Sequence, residues 1–256
     1  MNLYVLLKMV PDTVEELNVA ADGKSLDAEF LRFKLSDPDE YALEQALLLK
    51  EQHGGSVTVV ALDAPEVDDV LFTALAKGAD RAVKIPIAQA GLGTVAAARV
   101  LADFLGSAPF APDTLVLPGS QAIDDLEGEL APFLAAALKL PYVGVVCGVT
   151  PANGRVTVIK EFAGGLRAEF DVTLPAVLGI QSAEKPPRYV PVAKVRAVMK
   201  SAQIETVDLP PPARPGQLEI ERTYKPEAAG RAEMLEGSPD EVADKLVDVL
   251  AKISVI

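Results

Sequence analysis

One cysteine and one histidine are all that 256 residues contain of two of the most versatile catalytic side chains. With Cys147 alone there is no disulfide, no CxxC redox pair and no thiolate cluster within the chain. Lying in the apolar run Tyr142 to Val149, it reads as a small buried hydrophobe. His53 stands just before Gly54-Gly55, where a helix C-terminus would favour its charge, so it reads as a surface residue and not a general base. Cations are also short. With 24 Lys and Arg against 37 Asp and Glu, the formal charge is −13, which opposes nucleic acid and anionic membranes as partners. Every apolar run is broken by Gly, Pro or charge before the ~20 residues of a membrane span, and no basic start leads into an apolar leader. The expectation is a cytoplasmic protein with no direct membrane insertion. There is no Walker A sequence, no HExxH, no Ser-His-Asp elbow and no internal repeat, so neither a catalytic nor a metal constellation is assigned.

What is present is alternation. Leu3 to Leu7 is a continuous β-type run, as in a strand buried on both faces. Phe30 to Leu35 alternates like a short edge strand, and Asp37-Pro38-Asp39-Glu40 announces a helix with Asp37 as N-cap. Then come a strand (Val57 to Leu62), a helix (Pro65 to Lys77), a strand (Arg81 to Ile85), a helix capped by Thr94 and ending at Leu105, and a strand (Thr114 to Leu117). Pro132 confines the start of the next helix to its own first turn. Such a series predicts a doubly wound, mostly parallel α/β sheet. From Tyr142 to Leu174 the pattern changes to an antiparallel meander with Asn153-Gly154 as a hairpin turn, and Ala176 to Gln181 returns to the sheet. Ala193 to Lys200 is a short helix bearing Lys194, Arg196 and Lys200. Residues 209–216 are a stiff proline-rich linker. Ser238-Pro239-Asp240-Glu241 then caps a last amphipathic helix. The expected division is a nucleotide-binding α/β domain, 1–200, and a C-terminal linker and docking helix, 201–256, the tail resting on its own domain or on a partner subunit.

The most informative stretch is Asp113 to Asp125. A strand stops at Pro118-Gly119 and delivers Ser120, Gln121, Asp124 and Asp125 to the C-terminal edge of the sheet, where open α/β sheets bind ligands. Gly119 is expected to turn the chain with positive φ, and the next helix to aim free N–H groups at an anion such as a phosphate. An ordinary strand-to-helix turn with solvated acids is the competing reading. Gly91 to Ala96 matches GxGxxA, but Pro86 separates it from its strand, which disfavours an NAD-dependent dehydrogenase.

Three stretches together resemble the β subunit of electron transfer flavoproteins. VLLKMVPD (5–12) is similar to that family's opening, GSQAIDD (119–125) resembles its nucleotide loop, and VIKEFAGGLRAEFDVTLPAVLGIQSAEKPPRY (158–189) is similar to its signature. The resemblance implies an adenine-nucleotide-binding fold and a noncatalytic carrier. In such a carrier an α subunit holds most of the redox FAD and the β subunit binds AMP. Electrons would pass from acyl-CoA and related dehydrogenases to a membrane quinone oxidoreductase. It implies cofactor contacts at Leu6, Lys8, Ser36, Asp39, Leu62, Gly119, Ser120, Gln121, Ala122, Ile123, Asp124, Asp125, Gly128, Glu129 and Leu130. It also implies a partner-recognition loop at Pro191, Val192, Ala193, Lys194, Val195 and Arg196.

There are departures. Gly128-Glu129-Leu130 stands where relatives carry Asn-Gln-Thr, so phosphate contacts there would fall to backbone amides, and the Glu129 carboxylate would repel a phosphate unless turned away. The apolar anchor of the recognition loop is Val192 in place of Leu, and Thr13 replaces an aromatic. An electron-bifurcating relative with a second FAD at the AMP site, and a stand-alone adenine-nucleotide sensor, both stay open.

Overall fold

The computed structural model describes residues 1–29, 31–107, 109–125, 128–213, 220–226, 232 and 234–255. Strand β1 (Asn2–Leu7) buries Leu3, Val5 and Leu7 on one face and Leu6 on the other. A strand apolar on both faces needs cover on both. Leu3, Val5 and Leu7 share a core with Leu43 and Leu47 of helix α1 (Asp37–His53) and Leu71 of α2 (Val67–Lys77). Leu6 shares the opposite core with Val100 and Leu101 of α3 (Thr94–Leu105) and Leu134 of α4 (Leu130–Leu138). Each fully buried Leu contributes roughly 1.5–3 kcal/mol, so this two-sided pattern selects a doubly wound layer structure.

The remaining strands are β2 (Met9–Pro11), β3 (Phe33–Leu35), β4 (Ser56–Asp63), β5 (Arg81–Ala88), β6 (Thr114–Leu117), β7 (Tyr142–Ala152), β8 (Arg155–Glu161), β9 (Arg167–Thr173), β10 (Ala176–Ile180) and β11 (Glu205–Thr206). Among the described residues the main sheet is nine-stranded, in the order β11-β5-β4-β1-β6-β10-β7-β8-β9. Pairing is parallel from β11 to β7, and β8 and β9 follow antiparallel. The meander is thus the far end of the same sheet. β2 and β3 form a separate antiparallel pair. From β1 the chain winds outward through β4 and β5, then returns to the other side of β1 at β6. The strand order therefore reverses between β1 and β6, and the crevice beyond their carboxyl ends is where such sheets take ligands.

Several local readings are corrected. The N-cap of α1 is Ser36, and Asp37 is the first helical residue, with Pro38 next. The helix predicted from Pro65 begins at Val67, because Glu66 before it is left-handed. Gly93 caps α3, and Thr94 is its first helical residue. The short edge strand covers only Phe33–Leu35, and Phe30 lies outside the described residues. The sheet runs past the expected boundary at 200, since β11 pairs with β5 and Ile204, Val207 and Leu209 pack against the cores.

Past the first part of the linker, whose residues 214–216 lie outside the described ones, Thr223 returns to the 13–29 loop. Its N–H donates to Gly23 O at 2.8 Å and its hydroxyl to Lys24 O at 2.7 Å. Helix α5 (Val192–Ser201) lies against α2. Helix α6 (Pro239–Lys252) starts with a full Ser238–Glu241 capping box and buries none of its residues.

Candidate functional site

Helix α1 starts at the switch point, and its first turn joins the two central strands. Ser36 N–H donates to Lys8 O at 2.9 Å. In return Lys8 N–H donates to the Asp39 carboxylate at 2.9 Å, and Gly119 N–H donates to its other oxygen at 2.7 Å. One buried side chain therefore ties the ends of β1 and β6. The Lys8 ammonium crosses the same gap to Asp124 at 2.7 Å. Burial pushes the Asp39 carboxyl up from 3.8 to about 7, against the pull of its two backbone donors and Lys8.

Gly119 is required here for a reason other than the expected one. It lies outside the left-handed region; instead, a Cβ at this position would come within 2.4 Å of Asp39 Oδ1 and 2.8 Å of Pro38 Cβ. Only glycine lets β6 end this close to α1. Gly128 combines both reasons, with φ at +64° and Ser120 O 2.9 Å from its notional Cβ.

Beside this joint lies a cleft of about 290 Å³ lined by Val10, Thr13, Lys34, Ser36, Asp37, Pro38, Gln121, Ala122, Ile123 and Gln181. Ser36 is 1% exposed, and its hydroxyl has no hydrogen-bond partner and makes no side-chain cap. A buried hydroxyl without a partner costs about 1–3 kcal/mol, and Ser36 carries one in the wall of the cleft.

The other predicted residues fall into three groups. Ser36, Gln121, Ala122 and Ile123 line the cleft, with Ile123 65% exposed. Lys8, Asp39, Gly119 and Asp124 form its supporting joint, and Asp125 accepts from the Thr94 hydroxyl at 3.3 Å. Leu6 and Leu62 are core residues, closed into the α3–α4 side. Of the loop amides, that of Gly119 is held by Asp39, that of Ser120 by Ile180 O at 2.8 Å and that of Asp125 by Ala122 O at 3.0 Å. These three are unavailable to a phosphate. The first turn of α4 remains, with Leu130 opening the helix, Glu129 exposed at its N-cap and no acid in the turn itself. Leu126 and Glu127 lie outside the described residues.

Three residues of this region escaped the sequence reading. Gln181 lines the cleft and accepts from the Ser120 hydroxyl. Gln89 exchanges hydrogen bonds with the Met9 backbone, accepting at 3.2 Å and donating at 2.6 Å. Lys34 lines the cleft while paired with Asp37 at 2.9 Å. No local pattern signals residues that meet only through strand order. Pro191, Val192, Ala193, Lys194, Val195 and Arg196 stand apart, at the start of α5, with Val195 half-buried and the rest exposed. Among the described residues no cluster of acids, His and Cys has metal-binding form, and no helix is long and apolar enough to cross a membrane.

The architecture is a doubly wound, largely parallel α/β sheet with an antiparallel end. Residues 27–212 match the family model of the electron transfer flavoprotein domain. Electron transfer flavoprotein subunit beta of Methylophilus methylotrophus is 31% identical over 265 residues, with 98% of each chain covered. Its counterpart in Bacillus subtilis (strain 168) is 31% identical over 258 residues, covering 98% of this chain and 97% of the other. The caffeyl-CoA reductase-Etf complex subunit CarD of Acetobacterium woodii is 29% identical over 266 residues, with 100% of each covered. The chain belongs to the electron transfer flavoprotein family, as a β subunit. It is a subunit of an electron carrier that works with flavin.

Proposed function

We propose that this chain binds AMP in the cleft between β1 and β6 and pairs with an α subunit that holds most of a redox FAD. The pair, cytoplasmic, takes electrons from acyl-CoA and related dehydrogenases and passes them to a membrane quinone oxidoreductase. The observation that carries the reading is the buried, unpartnered Ser36 hydroxyl in the wall of a cleft of mixed polar and apolar lining at the switch point. Ser36, Thr13 and Gln121 would hold the nucleotide, and the first turn of α4 would supply N–H groups to its phosphate. The FAD, when bound, supplies the electron chemistry. This chain's part is to fix the wall beside it, which needs no general acid or base.

At about 290 Å³ the cleft is just below the roughly 300–1,000 Å³ of ligand pockets. The similarity to a subunit of a caffeyl-CoA reductase complex keeps a second reading, an FAD at this site in a bifurcating carrier. A stand-alone sensor is disfavoured by the exposed faces of α5 and α6, which suit docking. Co-expression with the α subunit followed by release of bound cofactors tests the assignment. One FAD and one AMP per pair is the expected result, two FAD would establish the second reading, and no adenine nucleotide would refute both.

A further inference from the structure

Helix α5 lies against α2 without being buried by it. None of its residues is buried, and only Val195 and Val198 are even half-buried. Besides α2 and the pairing of β11 with β5, ion pairs stand on either side of it. Upstream, Arg188 engages Glu44 of α1, donating from Nε to both carboxylate oxygens at 3.0 Å, from Nη2 at 2.8 Å and from its backbone N–H at 2.9 Å. Its Nη1 also pairs with Glu51. Glu44 is 3% exposed, so the guanidinium neutralises a carboxylate that could not stand alone in the interior. Downstream, Glu205 of β11 holds Arg81 in a two-pronged pair at 2.8 Å for each contact.

Between these anchors the chain displays Tyr189 at 84% exposure, Val192 at 60% and Met199 at 43%. From Lys185 to Ile204 there is no acidic residue, while Lys194, Arg196 and Lys200 ride on the helix. An apolar centre with a basic rim, on a protein of net charge −13, fits an acidic-rimmed apolar pocket on a redox partner.

We infer that Arg188 and Glu44 are positioning residues for partner docking: their partly buried pair holds Tyr189 and the start of α5 in the orientation in which the dehydrogenase is met. This rests on α5 being the docking element of the proposed function. A segment pinned in advance loses less freedom on binding, so loss of the pin acts on encounter and not on electron transfer within the bound complex.

The test uses the flavin-loaded heterodimer with an acyl-CoA dehydrogenase as reductant. Arg188→Met removes the guanidinium, and Arg188→Lys keeps charge without the fork. The KM for the dehydrogenase should rise by about tenfold in the first and about threefold in the second. In both, kcat and the content of FAD and AMP should be unchanged. Unchanged KM in both variants, with a raised KM in Val192→Asp, would overturn the inference and leave α5 as the docking element. Unchanged KM in Val192→Asp as well would remove both. Should Arg188→Met fail to fold, Arg188→Lys decides: a raised KM at full cofactor content supports the pin, and a wild-type KM refutes it.

Discussion

Gly119 just past β6 and Asp39 in the first turn of α1 show how little tolerance the switch point has. Gly119→Ala places a methyl 2.4 Å from Asp39 Oδ1 and 2.8 Å from Asp39 N, and relief requires α1 and β6 to part. The variant should lose about 1–3 kcal/mol of stability in urea unfolding and retain less adenine nucleotide. Asp39 gives a pH signature. Its folded carboxyl titrates at about 7 against 3.8 unfolded, so the native state binds the extra proton. Its contribution to stability is complete below about pH 3.8 and is lost as pH rises through about 7. Asp39→Asn has no such titration, so wild type should lose stability relative to the variant by on the order of 2 kcal/mol between pH 5 and 8. A difference independent of pH, measured by denaturant unfolding at both values, would contradict this. Gly119 was legible in the sequence as a residue that matters, but the reason was not. Positive φ is a local property, whereas the clash with Asp39 arises between residues 80 apart in sequence.

At the scale of elements, amphipathic patterns located the helices within a few residues, and their boundaries moved where capping chemistry was ambiguous. Ser36 and Asp37 are both good N-caps; the bond from Ser36 N–H to Lys8 O sets the helix start. Helix α6 is the opposite case. Its capping box is local and forms as read, yet Leu246, Val247 and Ile253 are 48%, 53% and 62% exposed, which is an unpartnered apolar side. The proposal that 201–256 carries a docking arm predicts that deleting residues 237–256 leaves the thermal midpoint of the isolated chain within about 2 °C, since nothing buried is lost. The same deletion should weaken co-purification with the α subunit. A large drop in the midpoint would instead place α6 on its own domain.

For the whole molecule, charge is unevenly spread: the chain is acidic, and its basic residues near α5 form an island. Docking through that island should weaken with salt, the dehydrogenase KM rising between about 50 and 500 mM NaCl as the screening length falls, while cofactor content stays constant. A KM indifferent to salt would argue for a purely apolar contact. The sequence by itself determined the layer architecture, because apolar runs covered on both faces and alternating helix and strand periods admit few other solutions. It also carried the family, through motifs spread from Val5 to Tyr189. Only the tertiary structure decided which residues meet. Strand order brings Lys8, Asp39 and Asp124 to one edge, leaves Leu6 and Leu62 inside the core, occupies the Gly119 and Ser120 amides with protein partners, and sets Arg188 on Glu44. Hydrogen bonds across more than 100 residues depend on how the sheet closes, and nothing local in the chain encodes them.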